Sequence, residues 1–294
     1  MDVPAVPHAM SVDVEDYYQV SAFARRVRPD DWPRFEPRVA RNTFRVLGLF
    51  EQAGVRATFF VLGWVAERNP GLVREIAAAG HEVACHGYSH ELIYRQSAAQ
   101  FGAETRRAKA ILEDQIQSPV LGYRAASYSI VQDTRWALDV LQEAGFVYDS
   151  SIFPVRHDRY GIPTAPLVPH RLDMPAGSAL VEFPPTAVDH LGLRFPVGGG
   201  YFRLYPYRLT HHLLRIAGRE RPCMFYLHPW EIDPDQPRIP AGAVSRFRHY
   251  LNLHRCEARL RRLLEDFRFA PARDVLDALG MLPAPVPARK RGHG

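Results

Sequence analysis

Two groups of side chains in this sequence have the types and spacing for metal chemistry. The stretch SVDVEDYYQV carries Asp13, Glu15 and Asp16, and the stretch HGYSH carries His86 and His90. Carboxylate oxygens and neutral imidazole nitrogens are ligands that Zn²⁺ and similar ions take in proteins. One carboxylate and both histidines would give a cation three protein ligands and leave an open position, where water can be activated. The spacing therefore predicts a hydrolytic metal site.

An alternation of short apolar runs and helical patterns must position these side chains. HAMSVDV, VRATFFVLG and HEVACHG are typical of buried strands, and NPGLVREIAAAG is typical of an amphipathic helix. A second helix opens with a capping box formed by Ser97 and Gln100. Strands separated by helices predict a parallel sheet, either open or closed into a barrel, with its chemistry at the carboxyl ends of the strands.

Polar residues do follow several of the predicted strands. Arg124 follows PVLGY, Asp149 ends FVYD, and His228 follows MFYL. Solvated polar groups would be scattered among helices and both ends of the strands. We therefore expect these residues to meet the carboxylates and histidines in one site.

The second half of the chain has a less regular pattern. Residues 153–178 are rich in Pro and Gly and are predicted to be a loop, as is GGGYFRLYPY. Residues 244–267 predict one long amphipathic helix that packs through Phe247, among others. The helix in DTRWALDVLQEAG is expected to begin with Asp133 as its N-cap.

Composition excludes several classes of protein. Hydrophobic residues make up 47% and charged residues 23%, with a net charge of +5, and there is no nucleic-acid-binding motif. The three cysteines form no C-x-x-C pair, which argues against a disulfide framework. MDVPAVPHAM has neither a basic n-region nor an apolar h-region, so no secretory signal is expected in it. The sequence contains no apolar run of about 18 residues, so no transmembrane segment is expected. The cytoplasm is the expected location, or the periplasm if a signal has been trimmed.

The ordered set SVDVED, TFFVLG, GHEVACHGYSH, GYRAAS, YDSS and FYLHP resembles the motifs of NodB-type polysaccharide deacetylases, carbohydrate esterase family 4. FPVGGGYFRLYPY and LHPWEIDPDQPRI further resemble the deacetylases associated with exosortase/PEP-CTERM exopolysaccharide loci. The resemblance implies an α/β fold, a distorted (β/α)7 barrel with a C-terminal helical extension. One domain is expected over residues 8–280, with the extension at about 231–280 and a flexible tail at 281–294.

The resemblance also implies catalytic roles. Asp13 matches the general base, Arg124 the residue that orients the base, and His228 the general acid. Asp149 matches an aspartate that polarises the acid histidine. This sequence departs from the common motif in one position: Val14 follows Asp13, where the family has a second aspartate.

For the metal, the resemblance implies His86 and His90 as ligands of a divalent cation, Zn²⁺ first, with Co²⁺ and Ni²⁺ as alternatives. The third ligand is Glu15 or Asp16. Residues i and i+2 of an extended chain point to the same side, so Glu15 is favoured because it can share a pocket with Asp13.

The activity implied is metal-dependent removal of acetyl groups from N-acetylated amino sugars of a bacterial exopolysaccharide or its precursor. This is hydrolysis of a linear amide C–N bond. Tyr128, Tyr201 and Trp230 are candidates to line a sugar cleft, plain packing being the alternative for each. Two other functions stay open: an allantoinase-like hydrolase of cyclic amides or imides, which needs a closed pocket, and a sugar-binding protein without turnover.

Overall fold

The computed structural model describes residues 6–174, 179–190 and 192–283. Its strands are β1 (His8–Val14), β2 (Thr58–Val61), β3 (Glu82–Cys85), β4 (Gly122–Tyr123), β5 (Tyr148–Asp149), β6 (His170–Asp173), β7 (Ala179–Glu182), β8 (Ala187–His190), β9 (Leu193–Pro196), β10 (Met224–Leu227) and β11 (Phe269–Ala270). Its α-helices are α1 (Val39–Ala53), α2 (Gly63–Arg68), α3 (Pro70–Ala78), α4 (Ala98–Ile116), α5 (Trp136–Glu143), α6 (Gly199–Leu204), α7 (Tyr207–Ala217), α8 (Ala243–Tyr250), α9 (Leu253–Asp266) and α10 (Ala272–Ala278).

The main sheet is a curled parallel sheet. Its order is β10-β1-β2-β3-β4-β5-β7-β6, in which only β6 is antiparallel to its neighbour, and β11 pairs with β1. The two sides of the curl approach each other at Thr186. Its backbone N–H donates to Met224 O over 3.1 Å, and its hydroxyl accepts from Met224 N over 2.8 Å. The predicted α/β fold with a distorted barrel is confirmed.

The pleat of β1 divides its residues between two environments. Met10, Val12 and Val14 belong to the large apolar cluster that the helices cover. Ala9 belongs to a second cluster inside the curl, so Asp13, four residues further along, faces the interior as well. The parallel neighbours β2 and β3 run in the same direction, and polar side chains beyond their last residues therefore collect at one end of the sheet.

The C-terminal helix α10 closes the opposite end of the curl. The first backbone N–H groups of α10 donate to interior side chains: Ala272 N to Thr58 Oγ1 over 2.7 Å, and Arg273 N to Glu82 Oε2 over 3.1 Å. Side-chain acceptors at a helix start replace the missing intrahelical bonds. The side chains of Thr58 and Glu82 at this end of the curl therefore have hydrogen-bond partners within the fold.

Several local predictions need correction. The predicted loop GGGYFRLYPY contains α6, and residues 153–178 include β6. The predicted helix over 244–267 is two helices, because Asn252 takes a left-handed φ of 54° between α8 and α9. Phe247 is 59% exposed instead of packed. The helix after Asp133 begins only at Trp136.

Other predictions agree with the structure or lie outside it. The capping box is confirmed, since Gln100 N donates to Ser97 Oγ and Ser97 N donates to Gln100 Oε1. Among the described residues, no helix is long and apolar enough to cross a membrane. The predicted tail at 281–294 falls outside the described residues beyond position 283.

Candidate active site

A buried ion pair fixes one carboxylate at the end of β1. Arg124 Nη1 donates to Asp13 Oδ1 over 2.5 Å and to Ser11 Oγ over 2.9 Å. Arg124 Nη2 donates to Ser150 Oγ over 2.9 Å, and the guanidinium carbon lies 4.0 Å from the centre of the Phe60 ring. A fully buried arginine with this many partners has little freedom, so it holds Asp13 in one orientation.

Three side chains next to this pair have the arrangement of a metal site. Donor atoms of Glu15, His86 and His90 all lie within 4.8 Å of one another. His86 Nδ1 lies 2.8 Å from the carbonyl oxygen of Arg124, which leaves its Nε2 to serve as a ligand. His90 has a left-handed φ of 54°, so a turn of the loop after β3 returns this second histidine to the cluster.

The residues present fit a divalent cation. Glu15 Oε2 is buried and accepts no hydrogen bond from the residues that the structure describes, although His90 Nε2 lies only 2.7 Å from it. Burial alone would raise the pKa of Glu15, but His90, His228 and His86 outweigh it and lower this pKa to about 2. Burial lowers the pKa of His86 to about 4. A charged carboxylate and neutral imidazole are the ligand forms, and one carboxylate with two histidines is a donor set of catalytic zinc.

Asp16 does not join this cluster. Its Oδ2 accepts from the backbone N–H groups of Arg38 and Val39 over 2.7 and 2.9 Å, and its Oδ1 accepts from Tyr17 N over 2.9 Å. The carboxylate therefore serves the start of α1. Of the two ligand candidates that the sequence left open, the structure brings only Glu15 to the histidines.

His228 reaches the cluster from the end of β10. Its Nε2 lies 3.5 Å from Glu15 Oε1 and 3.8 Å from Asp13 Oδ2. Its Nδ1 faces Glu231, whose Oε2 is 3.7 Å away. Burial by itself would lower the pKa of His228, but Glu15 and Glu231 outweigh it and raise this pKa to about 9. The surroundings therefore favour the imidazolium, the form that can donate a proton.

Glu231 and Arg203 are site residues that the sequence reading missed. Glu231 lies in the short 3-10 helix Pro229–Ile232, and Arg203 Nε donates to its Oε1 over 3.0 Å. The remaining donors of Arg203 reach three backbone carbonyl groups of the C-terminal extension, those of Arg248, His249 and Leu251. The sequence does contain one signal for Glu231, since this acidic residue stands three positions after His228 in HPWE.

Asp149 does not lie beside His228, contrary to the prediction. Tyr148 belongs to the cluster inside the curl, so the pleat of β5 turns Asp149 to the other face. There its Oδ1 accepts from Ser151 Oγ over 2.6 Å, and it lies opposite Glu182 in the register of β5 and β7. Glu231 is the carboxylate that faces the histidine.

The buried pair of Asp149 and Glu182 makes stability depend on pH. Burial raises the pKa of Asp149 to about 6, and burial together with the charge of Asp149 raises that of Glu182 well above its usual range. The folded chain therefore keeps protons that the unfolded chain loses near pH 4, so stability falls as pH rises through 6.

Glu182→Gln should relieve this loss, because glutamine keeps the acceptor for Ile152 N and can donate to Asp149. From pH 5 to pH 8, the free energy of unfolding should therefore fall by about 1–2 kcal/mol less in the variant than in wild type. Urea denaturation at the two pH values measures it, with the exposed Glu143→Gln as control. The account is contradicted if the variant and wild type lose the same free energy of unfolding between the two pH values.

A cavity of about 410 Å³ opens above the carboxylates and histidines and includes the three predicted sugar contacts. Tyr128 is buried, and its hydroxyl has no hydrogen-bond partner among the described residues. Tyr201 lines the cavity and is half-buried. Trp230 is more than a wall residue, since its Nε1 donates to Glu15 Oε1 over 3.3 Å and its ring stacks on His228 at 5.1 Å.

Comparisons with known proteins find similarity over two successive parts of this chain. Residues 30–148 match the family model Polysaccharide deacetylase, and residues 150–277 match a domain of unknown function, DUF3473. A peptidoglycan-N-acetylglucosamine deacetylase of Bacillus cereus is 34% identical over 94 residues, 32% of this chain and 30% of the relative. The chain covers less than half the length of such curated relatives. The first family model starts after Asp13 and Glu15, and His228 lies in the second match.

Two solved structures share the fold. A candidate polysaccharide deacetylase from Mycobacterium smegmatis has a TM-score of 0.61 at 20% identity and covers 98% of this chain and 96% of its own. Puue allantoinase has a TM-score of 0.59 at 19% identity and covers 94% of this chain and 97% of its own. Residues 30–148 are therefore similar in sequence to polysaccharide deacetylases, and the solved structures share the fold of the described chain.

Proposed function

We propose that this chain, whose residues 30–148 match the polysaccharide deacetylase family, is a metal-dependent N-deacetylase of an N-acetylated polysaccharide or oligosaccharide. One observation carries the proposal. The donor set Glu15, His86 and His90 lies in one cavity with a fixed carboxylate, Asp13, and with the imidazole of His228, whose Nε2 is 3.8 Å from Asp13 Oδ2. A binding protein needs neither a base nor an acid beside its ligand.

Asp13 is the general base in this proposal. A zinc ion bound by the three ligands would activate water and polarise the acetamide carbonyl group. Arg124 holds Asp13 Oδ1, while Oδ2 faces the cavity side occupied by His228. Asp13 Oδ2 therefore takes the proton of the attacking water, and Arg124 keeps this oxygen aimed at it.

His228 is the general acid. Its Nε2 donates a proton to the amide nitrogen as the C–N bond breaks, and acetate and a free amino sugar leave. Glu231 faces Nδ1 and stabilises the imidazolium before the transfer. Trp230 keeps the imidazole ring in place by stacking on it.

Glu231→Gln tests this support. We expect kcat for acetate release to fall about 10- to 100-fold, because the charge that faces His228 Nδ1 is lost while the shape is kept. Zinc content should stay the same, since Glu231 is not among the three donor residues. Glu231→Asp keeps the carboxylate. A kcat in this variant between those of Glu231→Gln and wild type would show that the loss comes from the missing charge and not from misfolding. Equal kcat in Glu231→Gln and wild type would remove Glu231 from the proposal.

The finer assignments belong to the same proposal. The substrate is an exopolysaccharide or its precursor, processed in the cytoplasm, and Tyr128 and Tyr201 contact its sugar rings. Residues 8–280 act as one domain, because the extension supplies the carbonyl groups that hold Arg203 next to Glu231. Zn²⁺ is the metal, because the donor set is two imidazoles and one carboxylate.

The alternative of a cyclic amide hydrolase has the allantoinase structure in its favour, but that likeness concerns the fold alone. The cavity argues for an extended substrate, because exposed side chains such as Tyr94, Leu204 and Phe247 line it, so it opens to the surface. A small ring would instead be enclosed.

The test compares substrates on zinc-loaded protein. Chitooligosaccharide and allantoin are supplied separately, with acetate measured for the first and ring opening for the second. We expect acetate release and no ring opening. Ring opening without acetate release would favour the alternative, and neither reaction would favour a binding role.

A further inference from the structure

We propose that the cavity contains a subsite for an anionic group of the substrate, formed by Arg159, Arg248 and His157. The inference rests on the proposed function, because the anionic group must belong to the molecule whose acetamido group is hydrolysed. It specifies the substrate class as an N-acetylated sugar that carries or adjoins a carboxylate or phosphate.

The two arginines have few partners of their own. Both line the cavity. In the part of the chain that the structure describes, the side chain of Arg248 forms no ion pair or hydrogen bond. The nearest carboxylate to Arg159 is that of Asp158, 4.0 Å from Nε, and the Arg159 side chain is 38% exposed. Asp158 also contacts His157 Nδ1 over 2.9 Å and is not among the residues that line the cavity. One carboxylate beside two guanidinium groups leaves this end of the cavity positive.

The other charged groups of the cavity already have partners. Arg124 pairs with Asp13, and Arg203 pairs with Glu231. Glu15 belongs to the metal donor set, and His228 faces Glu15 and Glu231. The charge left at this end of the described cavity is therefore that of the two arginines less that of Asp158, and this net positive charge is available to a ligand.

A row of aromatic rings connects the acid to this subsite. Tyr226 lies 5.9 Å from His228 between ring centres, Tyr128 lies 5.1 Å from Tyr226, and Tyr160 lies 6.0 Å from Tyr128. His157 stacks on Tyr160 at 3.9 Å with 12° between the planes. Flat apolar surfaces of this kind accommodate sugar rings, so a chain whose acetamido group lies at the metal site can extend towards the arginines.

His157 is the third polar group of the subsite. Its Nδ1 lies 2.9 Å from Asp158 Oδ1 and 3.2 Å from the backbone nitrogen of Arg159, which leaves Nε2 to face a ligand. Burial lowers the pKa of His157, and the nearby Arg248 and Arg159 lower it further although Asp158 opposes them. The subsite thus offers two guanidinium groups, which bind carboxylate and phosphate oxygens in pairs.

The experiment compares an acidic and a neutral substrate. We measure kcat/KM for a hyaluronan oligosaccharide, which alternates uronic acid and N-acetylglucosamine, and for a chitooligosaccharide with the same number of acetyl groups. In Arg159→Gln and Arg248→Gln, the ratio of acidic to neutral kcat/KM should fall about tenfold from the wild-type value. The matched control Arg215→Gln, on the exposed face of α7, should keep the ratio. Equal losses on both substrates would overturn the proposal.

Two further measurements identify the chemical class of the anion and distinguish a failure of the subsite proposal from a failure of the proposed function. A chitooligosaccharide 1-phosphate replaces hyaluronan, and a larger loss on it would indicate a phosphate instead of a carboxylate. If the wild type releases no acetate from any substrate, the proposed function fails. Calorimetry of hyaluronan and chitooligosaccharide binding then decides the subsite, which requires tighter binding of an acidic oligosaccharide that is lost in both arginine variants.

Discussion

Asp13→Asn is expected to lower kcat/KM for acetate release by about 10³-fold, within the range that general bases contribute. Asparagine can still accept the hydrogen bond of Arg124, so the geometry of the site should persist. It cannot take a proton from water at this position. Because Asp13 is outside the donor set of Glu15, His86 and His90, bound zinc should remain at the wild-type level.

The measurement is acetate release at equal zinc content, with wild type, Asp13→Asn and a matched control side by side. Asp139→Asn, an exposed position on α5, makes the same chemical change away from the cavity. The control should behave as wild type. An Asp13→Asn variant within about threefold of wild type would remove Asp13 from the role of base.

The second large effect concerns the metal. Glu15→Gln should weaken zinc binding by more than about 100-fold, since even partners outside the ligand sphere contribute 10- to 100-fold. The glutamine removes the charge that the three imidazoles surround. Activity should fall with zinc content and recover in part at high zinc concentration. Competition with a chelator of known affinity measures the change.

Asp16→Asn is the matched control, because the two carboxylates are adjacent in sequence and serve different parts of the fold. Its loss should weaken the bonds to Arg38 N and Val39 N and lower the free energy of unfolding by about 1–2 kcal/mol. Zinc affinity should stay close to that of wild type. The reverse pattern, with zinc lost in Asp16→Asn and kept in Glu15→Gln, would exchange the two assignments.

Much of the site could be predicted because long strands have readable patterns. The seven residues of β1 alternate regularly, which predicts that Asp13 lies on an interior face. The parallel direction of β1, β2 and β3 explains why the histidines after β3 meet the carboxylates after β1. The same reasoning places Arg124 and His228 correctly, since each follows a strand of this sheet.

The errors arise where local patterns are too short to decide. The resemblance alone implies that Asp149 faces His228, and the two residues of strand β5 are too few to show which face is interior. Glu231 and Arg203 are brought together by a 3-10 turn and a six-residue helix after a run of glycines, and neither has a periodic signal. Their pairing depends on contacts far apart in sequence, which composition and spacing do not contain.

The most direct test of the account is a titration of metal-free protein with zinc, in which acetate release from an N-acetylated oligosaccharide is measured at each step. The site formed by Glu15, His86 and His90 predicts that activity is absent at first, rises in proportion to added zinc and reaches a plateau at one zinc per chain. Full acetate release by the metal-free protein, or no release at any zinc content, would contradict it.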